Sequence, residues 1–78
     1  MQPRLKIWSA SVLDVRKRLG MSQDTFAKEI GVSQGMLSSW EAGRHGPSIT
    51  YMRRIVAADP EHRTSEELFP DEAIDIRV

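Results

Sequence analysis

Gln34 carries the most specific chemistry in the chain. Its side-chain amide donates and accepts at once, which suits any partner edge that sets an acceptor beside a donor. In the run SQGMLSSWEAG, Leu37 and Trp40 fall on one helical face, so Gln34, Gly35, Ser38 and Ser39 fall on the other, with Met36 at the margin. Apart from Gln34 the outward face is short-chained or bare. Such a helix must sit deep against its target or leave much of the selectivity to shape and water. Catalysis has little to work with: His45 and His62 stand seventeen residues apart and form no ligand spacing. There is no phosphate loop, and no serine, histidine and acid set of meaningful spacing. The chain is expected not to be an enzyme and to use no metal or cofactor.

Two short helices joined at Gly31 must position Gln34. Phe26, Ala27, Ile30, Val32, Leu37 and Trp40 form their inward faces, and Ser22 and Ser33 stand where N-cap hydroxyls satisfy orphan amides. The spacing predicts one helix over Gln23–Ile30 and a second from Gln34 to about Ala42. Glycine at the junction lets the second cross the first steeply. Gln23 sits on the N-terminus of its helix, where free amides and the dipole suit a phosphate.

This pattern resembles the helix-turn-helix of the phage repressor and Cro (XRE-type) family, over about residues 11 to 58. The resemblance implies an all-α, compact four- to five-helix repressor-like domain whose second motif helix enters the major groove of double-stranded DNA. It implies that Gln23 touches the DNA backbone and braces Gln34, with Ser33 beside them at the start of the recognition helix. It also implies a salt bridge between Arg16, four residues before Gly20, and Glu41, a scaffold contact that reads no bases. The loop from Ala42 to Pro47 resembles the family's basic loop. Arg44 and His45 are its phosphate candidates, Arg44 the stronger because it is always charged. Behind Pro47, Ser48 is expected to cap a fourth helix whose amides hold another phosphate. Two departures stand out: many relatives carry a larger polar or basic residue than Ser39, and a leucine where Asp59 stands.

Seventy-eight residues make one domain, with a helical core over 9–58 and an acidic segment over 59–78 that, the resemblance implies, helps form a dimer. Net charge is zero, yet residues 1–58 hold nine Lys or Arg against four Asp or Glu, and residues 59–78 hold two against seven. The basic body suits a polyanion, with the acidic segment turned away. No cysteine is present, no apolar run approaches membrane-spanning length and the N-terminus has no signal-peptide pattern, so a cytoplasmic protein is expected.

The remaining elements follow from periodicity. A first helix is expected from a cap at Ser9 or Ser11 to Leu19, closed by Gly20, with Val12, Val15 and Leu19 on one stripe. A fourth should cover Ile49–Ala58 with Met52, Ile55 and Val56 buried, and with Tyr51, Arg53 and Arg54 facing elsewhere. Thr64-Ser65-Glu66-Glu67 reads as a capping box opening a reduced fifth helix, closed by Leu68 and Phe69. Alternation over residues 4–8 and 73–78 suggests two terminal strands paired as a ribbon, within a subunit or between two. The functional expectation is a sequence-specific transcriptional regulator, a repressor acting as a homodimer on a palindromic operator. The alternative is an antitoxin or protein-interaction module that binds a protein partner through the acidic segment and a Leu68–Phe69 patch.

Overall fold

A computed structural model describes residues 7–70. Five helices follow one another: α1 (Ile7–Arg18), α2 (Gln23–Ile30), α3 (Gln34–Glu41), α4 (Ile49–Ala58) and α5 (Ser65–Leu68). The fold is all-α.

The motif helices start and stop for local reasons. Ser22 accepts a hydrogen bond from the Thr25 amide at 3.1 Å, and Ser33 accepts one from the Met36 amide at 3.1 Å. Gly31 ends α2 with φ of 91° while its N–H donates to the Ala27 carbonyl at 2.8 Å. A Cβ at Gly31 would also stand 2.8 Å from Arg54 Nη1. That guanidinium donates to the Ile30 carbonyl at 2.9 Å and lies 5.4 Å from the Tyr51 ring centroid, so Arg54 closes the end of α2 from α4. Gly31→Ala therefore meets both a left-handed backbone and a close neighbour, and should cost about 1–3 kcal/mol of stability. Gly35 lies inside α3 with open space around its Cβ direction, so Gly35→Ala should stabilise by about 0.5–1 kcal/mol. Urea unfolding of both variants would show the opposite signs.

The core forms where α1 meets α3, α4 and α5. Val12 and Val15 of α1 pack with Phe26 and Ile30 of α2, Leu37 and Trp40 of α3, Met52 and Ile55 of α4, and Leu68 and Phe69. Leu68 and Phe69 are each 1% exposed, so they belong to this chain's own core and offer no surface patch to a partner. Tyr51 also turns inward, 5.4 Å from the Trp40 ring, while Val56 and Leu19 are half-buried.

The start of α1 differs from the sequence expectation. Ile7 and Trp8 are helical, and Ser9 and Ser11 lie inside the helix instead of capping it. Five alternating residues are too few to separate a strand from a helix, and tertiary contacts decide here. The Ser9 hydroxyl donates to the Glu41 carbonyl at 3.3 Å and the Ser11 hydroxyl donates to the Leu68 carbonyl, so both tie α1 to distant chain. The rest of the suggested terminal ribbon lies outside the described residues.

The link between α4 and α5 wraps around one carboxylate. Asp59, 2% exposed, accepts from the Arg63 guanidinium at 2.8 and 2.9 Å, from the Arg63 amide at 2.9 Å and from the Glu61 amide at 3.2 Å. Arg63 also reaches Asp14 of α1 at 2.7 Å. These bonds hold the Asp59 carboxyl far below the usual carboxylate range, the Arg63 guanidinium first among them, although burial opposes the shift. Asp14 is lowered in the same direction by Arg63 and then by Arg18. The capping box of α5 closes with Glu67 N–H to Thr64 Oγ1 at 3.2 Å and Thr64 N–H to Glu67 Oε1 at 3.0 Å.

Candidate nucleic-acid interface

α3 opens towards solvent. Ser33, Gln34, Gly35 and Met36 are exposed at its N-terminal end, Met36 by 47%. Ser38 and Ser39 are half-buried, not open as the periodicity suggested. The chain after α3 folds back there: the Arg44 amide donates to the Ser39 carbonyl at 3.0 Å and the Ala42 amide to the Ser38 carbonyl at 2.9 Å. The accessible edge is the first turn of α3.

A chain of hydrogen bonds runs from the protein interior to that edge. Arg16 Nε lies 2.7 Å from Glu41 Oε2 and Arg16 Nη2 lies 3.0 Å from Glu41 Oε1, a two-pronged ion pair whose carboxylate side chain is 7% exposed. Arg16 Nη1 also donates to the Met21 carbonyl at 3.0 Å. Gln23 Nε2 donates to Glu41 Oε1 at 2.9 Å, and Gln34 Nε2 donates to Gln23 Oε1 at 3.2 Å. The Gln34 oxygen and one of its N–H groups remain for a ligand.

The loop beside α3 presents Arg44 and His45, both exposed. Gly43 turns it with φ of 79°, and further on a Cβ at Gly46 would stand 3.3 Å from Trp8 Cε2, so the indole packs against the loop. Trp8 is a support that the sequence did not reveal, because it falls inside the run that reads as a strand. Ser48 occupies the N-cap position of α4, but its side chain makes no cap hydrogen bond. A cleft of about 260 Å³ between α3 and α4 brings Ser33, Met36 and Ser48 to one rim over Trp40 and Tyr51. Gln23 and Gln34 are joined directly, Ser33, Met36 and Ser48 line the cleft, and Arg44 and His45 stand exposed on the loop that follows α3.

Among the described residues no group of three or more His, Cys, Asp or Glu could hold a metal ion, and no helix is long and apolar enough to cross a membrane. Residues 12–60, well over half the chain, match the family described as Helix-turn-helix, HTH_3. The chain belongs to the helix-turn-helix family. Within it the repressor and Cro (XRE) type is the one its motif carries. This helix-turn-helix chain is 34% identical over 67 residues, 86% of its own length and 94% of the relative's, to YazB of Bacillus subtilis strain 168, named an uncharacterized HTH-type transcriptional regulator. It is 37% identical over 43 residues, 55% of its own length and 62% of the relative's, to an uncharacterized HTH-type transcriptional regulator of Methanothermobacter thermautotrophicus. No solved structure matches it significantly.

Proposed function

We propose that this helix-turn-helix protein is a DNA-binding transcriptional regulator that represses by covering a promoter as a homodimer. The observation that carries the reading is Gln34, exposed on the first turn of α3 and held by Gln23 with its remaining donor and acceptor turned to solvent. A reading group fixed before the ligand arrives loses less freedom on binding. The regulator names of both relatives support the same reading. In this account α3 enters the major groove, Gln34 reads adenine, and Met36 and Ser33 lie along the same groove edge. Gln23, Arg44, His45 and the first turn of α4 behind Ser48 set register on phosphates. Two subunits place two α3 helices about 34 Å apart on one face of a two-fold symmetric operator. The nine basic against four acidic residues of the body supply long-range attraction, and the cytoplasm is where such a protein meets its DNA.

Titration of labelled duplex DNA at rising salt tests this. Binding should weaken steeply and linearly in the logarithm of salt, and Arg44→Ala should weaken all duplexes about equally while lowering the slope by about 1. A slope unchanged by the substitution would remove Arg44 from the phosphate contacts. Absence of binding at low salt would overturn the reading as a whole.

A further inference from the structure

Glu41 lies at the far end of α3 from Gln34, yet the hydrogen-bond chain connects them. We infer that Glu41 is a positioning residue for base selection: its charge sets the direction of the Gln34 amide, and with it the base that Gln34 accepts. This rests on the reading of Gln34 as the base reader.

The direction follows from what each group can do. A carboxylate only accepts, so Gln23 must turn its nitrogen towards Glu41 Oε1, 2.9 Å away. The Gln23 oxygen is then left facing Gln34. A carbonyl oxygen also only accepts, so Gln34 must turn its nitrogen inward, 3.2 Å from Gln23 Oε1. One Gln34 N–H is engaged, and the other lies beside the Gln34 oxygen as a donor–acceptor pair of fixed order. That order suits the N7 acceptor and N6 donor of adenine in one sense along the groove and not in the other. Arg16 holds the first link in place by gripping both oxygens of the Glu41 carboxylate, whose side chain is 7% exposed. Removing the negative charge removes the reason for the order. A glutamine at position 41 could offer Gln23 either an oxygen or a nitrogen, both amides downstream could then reverse, and a reversed Gln34 presents its acceptor where the donor stood.

The test uses the duplex that the wild-type chain enriches from a random pool, together with single-pair variants in which each A·T is turned to T·A. Affinities are measured for the wild type, Glu41→Gln, Gln34→Ala and the double variant. Glu41→Gln should reduce discrimination at the pair that Gln34 reads by about tenfold, and should change it no further on the Gln34→Ala background. A merely structural Glu41 would weaken all duplexes by one factor and leave discrimination intact, which overturns the inference. If Gln34→Ala itself leaves discrimination intact, the underlying reading of α3 fails instead. Should Glu41→Gln not fold, the paired change Arg16→Met with Glu41→Leu replaces the ion pair by an apolar pair of similar size, an exchange often tolerated. It should show the same tenfold loss, and retained discrimination in it would equally overturn the inference.

Discussion

Arg63→Met should lower the free energy of unfolding by about 3 kcal/mol, the low end for breaking a buried ion pair because a quarter of the Arg63 side chain remains exposed. The loss comes less from the missing attraction than from Asp59, whose side chain is fully buried and would keep its charge with only the amides of residues 61 and 63 as donors. The same substitution leaves Asp14 with Arg18 alone and loosens the link that docks Leu68 and Phe69 against α1. For a domain of this size 3 kcal/mol is a large share of a total of about 5–10 kcal/mol. By contrast, removing the exposed Lys28–Asp24 pair should change stability by less than about 1 kcal/mol.

The acid dependence of the two proteins should differ in a defined sense. Asp59 and Asp14 titrate below their unfolded values in the native wild type, so the stability they contribute is present above about pH 4 and is lost as pH falls towards their native values. In Arg63→Met the buried Asp59 has lost the group that lowers its carboxyl most, and burial is then opposed only by the backbone amides of residues 61 and 63, so the carboxyl rises from its wild-type position. Protonation then relieves the variant. Urea unfolding at pH 7 and pH 3 should show a gap between wild type and variant that narrows in acid, and a gap that stays constant would exclude the buried charge as its cause.

The second large effect concerns selectivity. Gln34→Ala should reduce discrimination at one base pair per half-site by about 1–3 kcal/mol, roughly 5- to 150-fold, without changing the salt slope. Arg44→Ala should do the reverse, costing affinity on every duplex and leaving the preference untouched. Competition between matched and single-pair variant duplexes separates the two. The rest of the outward face makes the contrast sharp, since Gly35 has no side chain, Ser38 and Ser39 are half-buried and the exposed Met36 is apolar, so no neighbour on the first turns of α3 can take over the amide's paired donor and acceptor.

What the sequence made legible is mostly local. Ser22 and Ser33 through their hydroxyls and Gly31 through its backbone punctuate α2 and α3 within a few residues, and the expected limits of α2 and α4 coincide with the observed ones. The Thr64–Glu67 capping box is equally short-range. What stayed hidden depends on residues far apart in the chain. Arg54 reads as a solvated arginine until α4 brings it to the Ile30 carbonyl. Asp59 reads as a helix end before proline, and only the return of Arg63 and the approach of Asp14 make it the centre of a buried knot. Ser9 and Ser11 have the chemistry of caps, but their hydroxyls find the carbonyls of Glu41 and Leu68 instead. At the site, the resemblance implied the Arg16–Glu41 and Gln23–Gln34 pairings separately. Their joining through Gln23 and Glu41, and the support of the loop by Trp8, needed the fold.

The most direct measurement is selection from a pool of randomised duplex DNA at about 100 mM salt, where nonspecific attraction is partly suppressed. Enrichment is expected of a two-fold symmetric site with half-sites about one helical turn apart and an adenine in each half whose preference disappears with Gln34→Ala. Retention without any enriched sequence would contradict sequence-specific reading by α3, and failure to retain DNA at all would contradict the proposed function.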